Sequence, residues 1–238
     1  MKRSTAVLLI GLGSVVGVLL LLALWIRFTS TGGPLPSLSG QRGTRSYALT
    51  GFTRIEANGQ WQVTLVRGDE WAVEVSYPAE LESGIDVRQE RGALTLRYTL
   101  KRSWWSDFGS NEALSMNARI VMPALEAVEM HGASSLDLTG FTGARLAIEA
   151  SGAVSIDGRD ARYDALALKI SGVGRVDLSG VATTDARIDV SGAQNLTLRM
   201  AGGTLSGGVS GVSRVDYLGT VSSQDVRASG VSRIEHHP

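Results

Sequence analysis

The sequence predicts an all-β, single-chain parallel β-solenoid, a right-handed β-helix, joined to an N-terminal transmembrane helix. Two observations lead to this prediction: a glycine-marked repeat of 19–20 residues fills the second half of the chain, and an uncharged apolar segment lies near its start. A repeat of this length is one structural unit that buries its apolar side only by stacking on its neighbours. The apolar segment is long enough to span a bilayer.

The composition excludes several classes of protein. The chain has 238 residues, of which 43% are hydrophobic, enough for one sizeable domain without disulfides or metals. It contains no cysteine, which rules out disulfides, cysteine-ligated zinc and thiol catalysis. Lysine plus arginine and aspartate plus glutamate each number 23, so no excess of positive charge favours nucleic acid. We therefore expect no nucleic-acid partner and no cofactor.

The predicted membrane anchor covers residues 1–28. Ala6–Ile26 carries no charge over 21 residues and follows Lys2 and Arg3, as in a signal anchor. No small-residue cleavage site follows it, so we predict that it stays attached and that the β-domain is extracytoplasmic, in the periplasm or at the cell surface. Residues 29–46, rich in glycine, proline and serine, are predicted to be a flexible linker.

The regular part of the predicted solenoid covers residues 131–238. Each unit turns at a small-residue corner, and an alternating segment such as Leu136-Asp137-Leu138 follows the corner. A second alternating segment, such as Leu146–Ala150, precedes the next corner, which gives two strands per coil. Stacked coils that turn at the same place need a residue without a Cβ. The predicted turn glycines are Gly132, Gly152, Gly172, Gly192, Gly211 and Gly230.

The first part of the predicted domain, residues 47–130, is strand-like but irregular. Segments such as Trp61–Leu65 and Leu94–Tyr98 alternate and are separated by glycine turns. Terminal units of stacked folds are atypical because they cover the open end of the core, so we expect this part to cap the solenoid. At the other end, either charged residues protect the edge of the last strand or a partner covers it; an oligomer is possible, and the sequence does not specify an oligomeric state.

Several segments of the chain resemble one known family. The resemblance covers roughly Tyr47 to the end, and it is carried by Gly51–Glu56, Val63–Glu70, Val73–Val75, Gly92–Leu96 and Met122–Val128, followed by the Ser-Gly-Ala/Val repeats. These segments are similar to the "head GIN domain" family of "putative autotransporter adhesins". The resemblance implies a parallel β-helix in the cell envelope and implies no catalytic residues.

An acidic residue recurs after the corner of every coil except one, where Thr197 takes its place, and two explanations are open. The column consists of Asp137, Asp157, Asp177, Asp216 and Glu235. Stacked carboxylates could coordinate calcium. Arg175, Arg214 and Arg233 lie two residues before three of these acids and face the same way, which favours a solvated ladder of ion pairs. We predict no metal site.

One segment, residues 99–115, interrupts the strand pattern and is the local candidate for a binding site. It contains Trp104, Trp105 and Phe108 among polar residues. Aromatic side chains on a loop stack on sugars or anchor protein partners, but the same loop could instead fold back and plug the end of the solenoid.

The predicted function is non-enzymatic. A membrane-anchored solenoid displays an extended surface, which suits an adhesin or a binding or scaffold domain for a glycan or protein surface ligand. No His/Asp/Ser constellation is evident, and nothing interrupts the repeat as an inserted active site would. Two alternatives remain at this point: a polysaccharide-acting β-helix enzyme and an envelope-stress sensing module.

Overall fold

The computed structural model describes residues 40–99 and 115–237. These residues form 14 strands and one 3-10 helix, Ala79–Gly84. The strands are β1 (Arg42–Tyr47), β2 (Arg54–Asn58), β3 (Trp61–Arg67), β4 (Ala72–Pro78), β5 (Ile85–Glu90), β6 (Ala93–Tyr98), β7 (Met116–Met122), β8 (Ala127–Thr139), β9 (Thr142–Arg159), β10 (Ala161–Ala201), β11 (Thr204–Gly211), β12 (Arg214–Thr220), β13 (Ser223–Ala228) and β14 (Arg233–His237).

The membrane anchor remains a prediction. Between residues 40 and 99 and between 115 and 237, no helix is long and apolar enough to cross a bilayer. Ala6–Ile26 lies outside the described residues.

The predicted flexible linker, residues 29–46, extends too far. The first strand starts at Arg42 and pairs antiparallel with β4, with Arg42 opposite Pro78 and Tyr47 opposite Val73. The guanidinium of Arg42 also donates to the carbonyl oxygens of Ser76 at 3.1 Å and Ser115 at 3.0 Å. Backbone pairing therefore orders residues whose composition is typical of a linker.

The second half of the chain is the predicted parallel β-solenoid, which has about six turns. Ala127 pairs with Ala147, and Leu146 with Leu166, so each coil lies directly on the preceding one, 20 residues earlier. After Ala186, which pairs with Leu205, the offset is 19 residues, as the glycine spacing predicts. The two predicted segments of a coil are continuous through the corner, and β10 runs through two corners without a break.

All six predicted turn glycines have positive φ, between 76° and 118°. A Cβ on Gly172 would lie 2.1 Å from the carbonyl oxygen of Gly152, and one on Gly192 would lie 2.0 Å from that of Gly172. The same carbonyl oxygens accept hydrogen bonds from the next coil, as in Val212 N–H to Gly192 O at 2.8 Å. A side chain at these corners would therefore displace the backbone of the coil beneath it.

The N-terminal half stacks in the same way, but in a different order along the chain. β2 and β3 form a coil, and one edge of this coil pairs in parallel with β8. On the opposite edge, β2 pairs in parallel with β6, and β3 pairs in parallel with β7. Gly59 occupies the corner between β2 and β3, with φ of 114°, and lies directly beneath Gly132. Beyond these coils, β5 pairs antiparallel with β6, and β4 and β1 extend the other edge antiparallel from β7. The antiparallel strands form the sheet edges at this end.

The core consists of apolar columns that run through the coils. One column contains Val63, Leu136, Ile156, Val176, Leu196 and Val215, all at most 2% exposed. Where one coil passes into the next, Phe141, Ala161 and Val181 are buried. The buried Tyr163 lies near this turn, and its hydroxyl donates to Leu125 O at 3.1 Å. Burial raises the pKa of Tyr163, so it stays protonated as a hydrogen-bond donor.

Four polar side chains of the described residues are buried, and one of them lacks a hydrogen-bond partner. Gln194 is 3% exposed, and neither its amide nitrogen nor its amide oxygen has a hydrogen-bond partner in the part of the chain that the structure describes. Serines at the equivalent positions of other coils are satisfied: Ser134 Oγ donates to Gly59 O at 2.9 Å, and Ser213 Oγ to Gly192 O at 3.2 Å. Gln194 therefore carries a desolvation cost that the serines avoid.

Candidate functional site

We call the outward surface of the segments that precede the corner glycines the front face. It includes β6, β2, β11, β13 and the matching parts of β8, β9 and β10. Because side chains alternate along a strand, every second residue of these segments points outward and forms a column with its counterparts. One column contains Ala127, Ala147 and Ala167, and the next contains Glu56, Glu129, Glu149 and Lys169.

Three adjoining depressions run along the front face and together form a groove. The first, of about 330 Å³, lies at the end formed by β5 and β6 and includes Ala127 and Glu129. The second, of about 320 Å³, shares those two residues and continues over Ala147 and Ala167 to Lys169. The third, of about 420 Å³, shares Lys169 and extends to Arg227 and Ser229. The alanine column forms the floor because its side chains are shorter than those beside it.

Charges of both signs line the groove. Lys169 Nζ lies 2.6 Å from Glu149 Oε1, and this hydrogen bond raises the pKa of Lys169. Arg187 Nε lies 3.2 Å from Asp189 Oδ2. The pairs are exposed, so solvent screens them and each contributes little to stability. Their polar groups therefore remain accessible to a ligand.

Arginines are concentrated at the β5–β6 end of the groove. Arg54, Arg88, Arg91 and Arg97 line it there, together with three glutamates. Arg91 has φ of 51° in the tight turn before Gly92, and its carbonyl oxygen accepts a hydrogen bond from the guanidinium of Arg54. Asp86 pairs with Arg88, and the hydrogen bond from Arg88 lowers the pKa of Asp86. This acid stays ionised and neutralises part of the arginine charge.

A column of hydroxyl groups borders the groove at the corner. Its members are Ser151, Ser171, Ser191, Ser210 and Ser229, continued by His131, whose Nδ1 lies 2.7 Å from Ser151 Oγ. Because the coils repeat at about 4.8 Å, the hydroxyl groups repeat at a similar interval. Just beyond the corner glycines, Val173, Val212 and Val231 are 54%, 64% and 77% exposed. The His131–Ser151 contact is one step of this column.

The outward surface that follows the corners, here the back face, carries the acidic column. Asp137 pairs with Asp157, Asp157 with Asp177, and Asp216 with Glu235. Arginines contact these acids: Arg159 reaches Asp157 at 2.7 Å, Arg175 reaches Asp177 at 2.9 Å, and Arg214 and Arg233 contact Glu235. The hydroxyl of Ser179, which donates to Asp177 at 2.7 Å, and Arg175 lower the pKa of Asp177. From Asp157 onward, the acids of this column form a ladder of ion pairs.

At the last coil the acidic column gains a histidine. Asp216, Glu235 and His237 place oxygen or nitrogen atoms within 4.8 Å of one another. His237 Nε2 lies 3.0 Å from Asp216 Oδ1, and Arg214 contacts both acids. His236 points to the opposite side and stacks on Tyr217 with ring centres 4.7 Å apart. The arginine contacts occupy the carboxylate oxygens of this group.

The predicted binding residues Trp104, Trp105 and Phe108 lie outside the described residues, so their role stays a prediction. Sequence reasoning missed the groove, although alanines at a 20-residue spacing, Ala127, Ala147 and Ala167, were its visible signal. The arginine-lined end was not predictable, because β5, β6 and β2 meet there through non-consecutive pairing.

Comparison with known proteins identifies the family. The family described as "Putative auto-transporter adhesin, head GIN domain" matches residues 51–186, more than half of the chain. The chain therefore belongs to the head GIN domain family, as the resemblance indicated. No protein of curated function matches significantly.

Solved structures share the fold at low sequence identity. A putative adhesin from Bacteroides fragilis is 18% identical with a TM-score of 0.62, over 84% of this chain and 99% of that one. A putative adhesin and a putative lipid binding protein, both from Parabacteroides distasonis, are each 13% identical with a TM-score of 0.50, over 83% of this chain and 98% of theirs. At such identities the likeness shows the fold alone.

Proposed function

We propose that this protein is a non-enzymatic envelope protein that binds an extended glycan along its front-face groove. The main support is that the three depressions are continuous: each shares residues with the next, from the β5–β6 end to Ser229. A long, shallow groove lined by hydroxyl groups and by charges of both signs suits a polymer with many hydroxyl groups. Family membership supports an adhesive or binding role.

The coil repeat supports a polymer over a small molecule. Successive coils present equivalent groups at about 4.8 Å along the groove, so a chain lying along it would meet similar contacts at each step. Individually weak contacts then add up along the polymer. Short fragments are expected to bind much more weakly than long chains.

Blocking the groove tests this function. Ala147 lies at mid-groove, is partly exposed and has alanines on both sides, so Ala147→Trp would fill the floor without burying a polar group. Binding to an array of bacterial and host polysaccharides should fall by roughly tenfold or more, since a bulky side chain then occupies the site. Thr197→Trp on the back face is the matched control and should leave binding unchanged.

An assay for shortened glycan products separates binding from catalysis. Intact glycan after prolonged incubation with the full chain is the expected result. Release of oligosaccharides that Ala147→Trp abolishes would replace the binding function by a polysaccharide-acting enzyme.

We further propose that residues 1–28 anchor the protein and place residues 40–237 outside the cytoplasm, with residues 29–41 as the linker. The length of Ala6–Ile26 and the absence of a cleavage site support this arrangement. The mass of the protein purified from membranes tests it. A mature chain beginning between Thr29 and Gly43 would overturn the anchor.

The aromatic segment remains a separate proposal, in which Trp104, Trp105 and Phe108 bind a glycan or protein surface. The segment joins β6 to β7, the outermost parallel strands at this end. Changing both tryptophans to alanine should weaken adhesion by about 2 kcal/mol and leave the melting temperature nearly unchanged. A large loss of stability, roughly 3–5 kcal/mol, would instead indicate packing against the core.

A further inference from the structure

Gly208 lies on the front face where the fold does not require a glycine. Nearly all the other described glycines have positive φ or would place a Cβ under 3.0 Å from a neighbouring atom, and Gly143 would place one 3.1 Å from Tyr163. Gly208 has neither constraint: a Cβ there would meet its nearest atoms, Arg227 O and Asp189 Oδ1, only at 4.0 Å. Glycine in a strand interior costs stability relative to residues with side chains. Packing therefore gives no reason for this glycine.

The missing side chain creates a notch in the groove. Gly208 pairs with Asp189 on one side and Arg227 on the other, in the column that carries Glu149 and Lys169 in earlier coils. Its position is the floor of the 420 Å³ depression. A long side chain at this place would fill the space between the two charged neighbours.

The polar groups around the notch are complementary. Asp189 Oδ2 is held by Arg187 at 3.2 Å, which leaves Oδ1 as the oxygen nearest the empty Cβ position. The side chain of Arg227 forms no ion pair or hydrogen bond with any residue of the described ranges, so its guanidinium is available as a donor. The hydroxyl groups of Ser191 and Ser210 border the same depression. The notch thus offers an acceptor, a charged donor and two hydroxyl groups within one small space.

We propose that the Gly208 notch is the subsite that receives one sugar unit of the bound glycan through neighbouring hydroxyl groups. Asp189 Oδ1 accepts a hydrogen bond from one hydroxyl, and Arg227 donates to another oxygen of the same unit. A sugar hydroxyl can donate to Asp189 Oδ1 and accept from Arg227, whereas a sulfate only accepts and would leave Asp189 Oδ1 without a partner. This inference rests on the proposed glycan-binding function and identifies the place in the groove where one unit of the ligand is recognised.

Filling the notch tests the inference directly. Gly208→Val in the full chain should reduce affinity for whichever array polysaccharide the wild type binds by about tenfold or more, since hydrogen bonds to charged groups are lost. Because valine favours strands and φ is ordinary here, the melting temperature should be equal or higher. Thr197→Val on the back face is the control for a surface valine and should keep wild-type affinity.

A second variant keeps the fold and the notch but replaces the charged guanidinium by a shorter, neutral amide. Arg227→Gln should weaken binding of the same polysaccharide while leaving stability within the range of ordinary surface substitutions. Wild-type affinity in Gly208→Val would overturn the subsite while the groove function stands. Absence of binding by the wild type to every polysaccharide on the array would overturn the groove function, and the subsite with it.

Discussion

The two halves of the described domain stack coils in the same way but differ in how the chain supplies them. From β8 onward each coil follows directly from the previous one, so Gly132, Gly152 and Gly172 are evenly spaced in sequence and in space. In the N-terminal half, β2 and β3 lie between β8 and the pair β6 and β7, although β6 and β7 come later in the chain than β2 and β3. The halves differ in how far apart in the sequence their stacked strands lie, and not in the geometry of their coils.

A repeat can be recognised in the sequence only when coils that stack on one another are also consecutive along the chain. Gly59 satisfies the same corner geometry as Gly132, and Ile55 the same inward position as Val128. Their stacking partners lie in distant segments, so no interval in the sequence reveals them. The non-local half pays a larger loop-closure entropy, which favours slower assembly of that end.

The largest expected effect concerns the corners. Gly172→Val forces a side chain into positive φ and against the backbone of Gly152, so we expect a loss of roughly 3–6 kcal/mol in unfolding free energy. Gly59→Val, where the obstacle is the ring of Tyr98, should also destabilise. Urea denaturation measures both. Gly208→Val serves as the matched control, and equal losses at all three positions would contradict the corner argument.

Cavities in the two halves should reveal whether they unfold together. Ile55→Ala and Leu168→Ala each remove a side chain that is 1% exposed, at a cost of roughly 2–5 kcal/mol. Because stacked coils contact mainly their neighbours, Ile55→Ala should speed hydrogen exchange in β2, β6 and β8 more than in β13. Uniform acceleration over all strands would instead show a single cooperative unit.

A stabilising change is expected within the regular half. Gln194→Val removes a buried amide without partners and places a residue that the same position already holds as Val154. Unfolding free energy should rise by about 1–3 kcal/mol, the cost of an unsatisfied buried polar group. Ser213→Val, which removes a hydroxyl hydrogen bonded to Gly192 O, is the contrasting variant and should not stabilise.

The smallest expected effect is the pH dependence of the back-face ladder. Hydrogen bonding from Ser179 and Arg175 lowers the pKa of Asp177, so its stabilisation is present above the unfolded pKa and is lost as pH falls through the folded pKa. The melting temperature should therefore decline as pH decreases from about 5 to about 2. Asp177→Asn should show a shallower decline, and an identical slope would assign the effect to other carboxylates.

The sequence by itself determined the regular coils. Glycine at 19–20-residue intervals and alternating apolar residues specify both the stacking offset and the buried columns, because each coil needs the same corner and the same inward face. The arginines two residues from the acids of the back face were equally predictable, since period-two alternation puts both on one side. These features depend on local pattern alone.

Only the tertiary structure decided the rest. Contacts between distant segments pair β1 with β4 and give Gly59 its place at a corner. Such contacts also place β2 between β6 and β8, and β3 between β7 and β8. The groove likewise arises when alanines from three coils adjoin the β5–β6 end, and the notch at Gly208 exists because Asp189 and Arg227 lie on either side of it. Side chains brought together from separate coils create a surface that no single segment encodes.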